Sequence, residues 1–203
     1  MLRAERLAAQ RGGVTLFANV EFALGSGEAL VVTGANGSGK TTLLRMVAGL
    51  TQPTLGHLLW RGASVAAFDH ALRAATLYIG HAAALKDEFT AEENLLSLAA
   101  LHGAAADREA VRDALDEWSL GRHDGVPARV LSQGQRRRVA LARMSLARRR
   151  LWVLDEPATA LDASGVATLE KRVNAHLAGQ GVAVIATHQP LALAAGAMRR
   201  LEL

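Results

Sequence analysis

Residues suited to chemistry on a phosphate fall in three segments of the chain. Gly34, Ala35, Asn36, Gly37, Ser38, Gly39, Lys40 and Thr41, with Thr42 following, fit the pattern G-x-x-x-x-G-K-[ST]. Glycines at these spacings let main-chain N–H groups turn inward around phosphate oxygens, and a helix start adds positive potential. Lys40 is placed to reach the β- and γ-phosphates of ATP, and the Thr41 hydroxyl to bind Mg²⁺. Asp155 and Glu156 end the hydrophobic run 151–156 (LWVLDE). Asp155 can hold the water shell of Mg²⁺, while Glu156, one residue further out, stands where an attacking water would sit and reads as its general base. Taken alone, the two acids would be an acidic cap to the turn at Pro157; beside a phosphate-binding loop they read as reaction groups. The third segment, Leu131-Ser132-Gln133-Gly134-Gln135, is by itself an ordinary helix start with a serine cap.

The elements that must position these residues follow from the apolar pattern. Residues 28–34 (EALVVTG), 76–80 (TLYIG), 151–155 (LWVLD) and 181–187 (GVAVIAT) are short, continuous and rich in β-branched side chains. Such runs fit strands buried on both faces, as in a parallel sheet. Helical patterns occupy 39–49, 91–101, 107–118, 132–147 and 163–177, with Asp107 as an N-cap and Gly121, Gly125 and Pro127 as punctuation. Strand and helix alternate toward both ends, but 91–147 is helix upon helix. A sheet core, 1–80 and 151–203, carrying an inserted helical subdomain at about 81–150, is therefore expected within a single domain. The start of the chain reads as a strand, and 198–203 (MRRLEL) as a final edge strand.

The three segments, in the chain order 34–41, 131–135 and 151–156, resemble the ABC ATPase family, whose signature has the form of 131–135 and lies just upstream of the acidic strand. Ala160-Leu161-Asp162 is similar to the family's D-loop and Thr187-His188 to its switch histidine. The resemblance implies an α/β P-loop NTPase fold of the ABC type, a mainly parallel sheet core with N-terminal antiparallel strands and an inserted helical subdomain. It also implies a catalytic part for His188 beside Glu156 and Lys40, and a head-to-tail pair of copies. In that pair Ser132, Gly134 and Gln135 of one chain would bind ATP held by the loop of the other. Gln133 stands where glycine is commoner. Counting back from Lys40 places Arg11 at the family's adenine-stacking aromatic position, where a guanidinium plane can also stack, although a solvated loop arginine reads equally well. His81 replaces the family's usual glutamine near Mg²⁺ and water.

Tyr78-Ile79-Gly80-His81, Leu85-Lys86, 90–95 (TAEENL) and 187–191 (THQPL) are similar to the ATP-binding subunits of the cytochrome c maturation branch. That likeness implies integral membrane permease partners of the CcmB and CcmC kind, haem export or release of a haem-loaded chaperone, and a location on the cytoplasmic face of the bacterial inner membrane. Residues 82–94, with Ala82, Ala83, Ala84, Leu85 and Phe89 among charges, are expected to be exposed and to contact the permease. Another small-molecule exporter and a soluble ABC protein acting on ribosomes or DNA are the alternatives. A P-loop kinase would leave 131–135 without a purpose.

Composition narrows the classes. Half of the 203 residues are hydrophobic, enough for a substantial core. With no cysteine, a disulfide framework and a cysteine zinc site are excluded, and a reducing cytoplasm is the simplest home. No run of about eighteen apolar residues offers a spanning helix, and the first residues lack the core of a secretory signal. The net charge of +4 comes almost wholly from arginine. Its triplets at 136–138 and 148–150 read as solvated helix faces, and no nucleic-acid partner is expected.

Overall fold

The computed structural model describes residues 1–101, 107–121, 125–194 and 198–203. The chain runs through β1 (Leu2–Arg11), β2 (Val14–Leu24), β3 (Ala29–Thr33), α1 (Lys40–Val47), β4 (Leu55–Trp60), β5 (Ala63–Val65), α2 (His70–Ala75) and β6 (Thr76–Ile79). It continues with α3 (Ala91–Leu101), α4 (Arg108–Glu117), α5 (Gln133–Leu146), β7 (Leu151–Asp155), α6 (Ala163–Ala178), β8 (Val182–Ala186) and β9 (Met198–Glu202). This α/β architecture agrees with the sequence reading. Two compact units divide it. The first comprises Met1–Tyr78, Arg149–Glu156 and Val173–Leu203; the second comprises Ile79–Arg148 and Pro157–Arg172.

In the first unit the strands that read as continuous apolar runs form the middle of a five-stranded sheet, ordered β6-β7-β8-β3-β9. β7 and β8 are buried along their whole lengths, and β7–β8, β8–β3 and β3–β9 are parallel pairs. β9 is an edge strand, as its alternating sequence suggested. Helix α1 packs on β7 and β8. Its Leu43, Leu44 and Val47 join Leu30, Val32, Val153 and Val184 in a core that also takes Leu2, Leu7 and Trp60. Each such side chain contributes about 1.5–3 kcal/mol by leaving water. A second, antiparallel sheet is ordered β2-β1-β4-β5.

The second unit is mainly helical, with α3, α4 and α5 packed on one another. Leu95, Val111, Leu115, Trp118, Val139 and Leu141 are buried there. Its helices start with side-chain caps. Thr90 and Glu93 exchange bonds ahead of α3 (3.1 and 2.8 Å), and Asp107 accepts from the Ala110 N–H at α4, as expected from sequence. Ser132 and Gln135 form a capping box at α5. A cap of this kind contributes about 1 kcal/mol.

Candidate functional site

The phosphate-binding loop connects β3 to α1, both fixed by the apolar core. Gly39 is the N-cap of α1 at φ 101°, with no side chain capping the helix. A Cβ there would lie 2.8 Å from Phe17 Cδ1, so only glycine permits this approach of loop and β2. The first N–H groups of α1 are left to serve an anion, which is what a helix N-terminus does with its unpaired donors. Ser38 Oγ is buried without a hydrogen-bond partner. The Lys40 ammonium donates to the carbonyls of Gly34 (2.7 Å) and Ala35 (2.9 Å), curling its side chain over the loop. Asn36 and Gly37 are exposed at the tip, and Thr42 is half-buried.

Two side-chain pairs complete this unit. The Thr41 hydroxyl donates to Asp155 Oδ2 at 2.8 Å, joining residues 114 apart in sequence. Asp155 is only 1% exposed at the end of β7. Burial, and then the Asp155 charge, push the Tyr78 phenol above its ordinary range. A hydroxyl and a carboxylate side by side are hard oxygen donors that suit Mg²⁺. Among the described residues no three or more His, Asp or Glu side chains gather as a metal centre, so a cation here would need other oxygens as well.

Glu156 follows in the left-handed region at φ 48°, where a non-glycine residue stores about 1–3 kcal/mol of strain. Its N–H donates to the Ala186 carbonyl at 2.8 Å, anchoring the turn to β8. Its carboxylate lies 2.9 Å from His188 Nδ1. An ionised carboxylate only accepts, so this pairing places the ring proton on Nδ1. The Glu156 side chain is 16% exposed and that of His188 66%, so the pair grades from sheet to surface. Arg11 is exposed at the end of β1, paired with Val14 across the hairpin.

The second unit holds the segments that resembled a signature and a D-loop. The Ser132 N–H donates to Gln135 Oε1 (2.8 Å), and the Gln135 N–H donates to Ser132 Oγ (3.2 Å). The serine hydroxyl keeps its own hydrogen to donate. A Cβ on Gly134 would lie 2.7 Å from the carbonyl oxygen of Ala160, which is itself at φ 64°. The glycine is thus required by the close approach of the backbone at Ala160. Asp162 accepts from the Gly165 N–H (2.8 Å), the Ser164 hydroxyl (2.9 Å) and Arg138 (2.6 Å). Those bonds, the Gly165 N–H foremost, hold its carboxyl below the usual range. His81 is exposed and lines a pocket of about 290 Å³ with Ala82, Gln133, Arg136 and Thr159.

Two sequence expectations are corrected here. The arginines at 136–138 do not form a solvated face. Arg136 pairs with Asp87 (2.7 Å) and donates to the Ala128 carbonyl; Arg137 is 5% exposed; Arg138 bonds Asp162. An arginine triplet carries no sign in its composition of which way each member points. Leu85 and Phe89, expected to be exposed, are half-buried. Phe89 lies under the Lys86 ammonium, 4.6 Å from the ring centroid, and buried Asn94 ties the Lys86 N–H and the carbonyls of Lys86, Phe89 and Thr90 together. Ala82 and Ala84 are exposed.

Comparison with known proteins matches residues 17–159 to the family model of the ABC transporter. A Pseudomonas putida relative named cytochrome c biogenesis ATP-binding export protein CcmA is 50% identical over 202 residues, covering 100% of this chain and 96% of that protein. A solved putative ABC transporter ATP-binding protein from Pyrococcus furiosus superposes with a TM-score of 0.84 at 22% identity, over 98% of this chain and 96% of that one. A dimeric ATP-binding cassette in a post-hydrolysis state, bound to ADP and Pi, gives 0.78 at 24% identity, over 93% of this chain and 88% of that chain. At these identities the two structures speak for the fold.

Proposed function

The chain belongs to the ABC transporter family of ATP-binding proteins, and from that premise we propose that it is the ATP-hydrolysing subunit of a cytochrome c maturation complex. The observation that carries the catalytic reading is the pairing of Thr41, in the first turn of α1, with Asp155 at the end of β7, and of Glu156, just past β7, with His188, just beyond the neighbouring buried strand β8. Lys40 and the N–H groups of Gly34, Ala35, Asn36, Gly37, Ser38, Gly39, Thr41 and Thr42 would bind the phosphates. Thr41 and Asp155 would hold Mg²⁺, whose chemistry is to neutralise phosphate charge. Glu156 takes the proton of the attacking water, with His188 orienting its carboxylate. Arg11 is kept as the candidate for stacking on adenine, and His81 as a further candidate near metal and water.

A second copy of the chain supplies the rest. Ser132, Gly134 and Gln135 start α5 with a free hydroxyl hydrogen and helix N–H groups, which suit the γ-phosphate of ATP held by a partner copy. Head-to-tail pairing of two copies uses both half-sites twice, and the fold likeness to a dimeric cassette supports this arrangement. No helix of the described residues is long and apolar enough to cross a membrane. By the likeness to the CcmA relatives, the work would be delivered to permease subunits of the CcmB and CcmC kind, from the cytoplasmic face of the inner membrane. Hydrolysis would there be coupled to haem export or to release of a haem-loaded chaperone.

The test is complementation of a bacterium lacking its own cytochrome c maturation ATP-binding subunit. This chain should restore haem-stained c-type cytochromes, and its Glu156→Gln variant should not. Normal ATP hydrolysis without restoration would place the chain with another exporter.

A further inference from the structure

Arg137, the middle member of the 136–138 triplet, is more deeply buried than either of its arginine neighbours. Arg137 projects from the first turns of α5, 5% exposed. Its Nη1 donates to the carbonyl of Gly80 (2.8 Å) and to that of His81 (3.3 Å), and its Nε donates to the carbonyl of Pro157 (3.2 Å). Gly80 is the first residue after β6. Pro157 follows Glu156, the residue just past β7. Since β6 and β7 are neighbours in the sheet, one planar guanidinium clasps the chain as it leaves two adjacent strands. A fork of donors in fixed geometry can satisfy carbonyls on separate segments at once, which a single ammonium cannot do equally well.

We propose that Arg137 is a positioning residue for hydrolysis, setting the backbone on which Glu156 and His81 stand without itself touching the nucleotide. The left-handed turn of Glu156 is anchored on its amide side by the Ala186 carbonyl. On the following residue it is anchored by Arg137. A strained turn persists only while its surroundings over-determine it. Loosening one anchor lets the carboxylate move away from its working place, and displacements of about 1 Å suffice to cost a reaction roughly a hundredfold. The phosphate-binding loop, on different elements, keeps its grip on ATP. The inference rests on the reading of Glu156 as the general base.

The experiment is steady-state hydrolysis and nucleotide binding by the purified full chain carrying Arg137→Met, Arg137→Lys or Glu156→Gln, and the Arg137→Met/Glu156→Gln pair. Arg137→Met should lower kcat about 10- to 100-fold while KM and the affinity for ATP stay within about twofold. Arg137→Lys, which keeps charge and one donor direction, should recover part of the rate. In the Glu156→Gln background, Arg137→Met should cause no further loss, because residues acting through one group are not additive. If Arg137→Met does not fold, Arg137→Lys decides: an unchanged kcat overturns the proposal. So does a rise in KM matching the fall in kcat, which would mark a role in nucleotide binding, or a full multiplicative loss on top of the residual rate of Glu156→Gln, which would mark a general loss of active protein. If Glu156→Gln itself hydrolyses ATP at the wild-type rate, it is the general-base reading that fails.

Discussion

The two units hold the polar groups of the proposed site by different means. In the first, side chains with chemistry bond one another directly: Thr41 to Asp155 and Glu156 to His188. Asp155, Glu156 and His188 are set at or just beyond strand ends and Thr41 in the first turn of α1, on elements that the apolar core holds. In the second, the exposed groups are held by main-chain bonds and by arginines. Ser132 and Gln135 cap each other's backbone, Arg137 clasps three carbonyls, and Arg138 holds Asp162. Side-chain pairs fix functional groups relative to one another; backbone clasps fix the shape of a loop. The first unit should therefore be sensitive to loss of a functional group, the second to loss of geometry.

The largest effect should come from the first unit. On the proposed reading Lys40→Ala removes the cation that would stabilise charge on the transferred phosphoryl group, and hydrolysis should fall below about a tenth of wild type. Glu156→Gln should all but stop turnover, leaving only a slow residual rate, but keep ATP binding, giving a nucleotide-locked pair visible by size-exclusion chromatography. Retained activity in either variant would remove the contrast between the units. Next, Gly134→Ala puts a methyl against the Ala160 carbonyl. It should lower hydrolysis about tenfold through misplacement of the loop and the melting temperature by roughly 2–4 °C. A silent Gly134→Ala would mean that the second unit tolerates geometric error.

A smaller effect, on stability alone, is expected at His176. Its ring stacks on Trp152 at 3.9 Å between centroids and 4° between planes, and burial holds its pKa below the ordinary 6.5. The unfolded chain thus takes up a proton, as pH falls through 6.5, that the folded ring refuses. Stability is fully present above that value and declines below it until the folded ring also titrates. Thermal unfolding followed between about pH 7.5 and 5.5 should show this decline, and His176→Gln should flatten it. An unchanged slope would assign the pH dependence elsewhere. The smallest effect on hydrolysis should follow Leu85→Asp with Lys86→Glu, which keeps the isolated rate within about twofold while ending co-purification with the permease. Wild-type co-purification would place the membrane contact outside 82–94.

Legibility in the sequence tracks locality and burial. β3, β7 and β8 could be read because strands buried on both faces leave unbroken apolar runs. The antiparallel sheet could be anticipated only through the family resemblance. β1 pairs β2 with register shifts after Ala4, Leu7 and Ala9, and Arg6 and Asn19 sit at positive φ, so the two-residue alternation that marks a half-buried strand is broken. The short β5 and α2 are too brief for any periodicity to show. Within the candidate site, the phosphate-binding loop and Asp155-Glu156 were readable as contiguous segments. Thr41 and Asp155 could each be assigned to one cation, but the bond between them is a product of tertiary packing. Arg137 was hidden because burial of one arginine among three depends on tertiary packing.

The capping box at α5 bears on how fast two copies can meet. Ser132 and Gln135 already hold the loop in its helical-start conformation within a single chain. In the proposed pair, closure would not have to freeze this segment out of many conformers. Fixing a residue's backbone costs about 1–2 kcal/mol, so pre-ordering a few residues removes much of the entropic resistance to docking. The encounter would then be governed by whether ATP is present to be sandwiched, and loop folding would set no separate time constant.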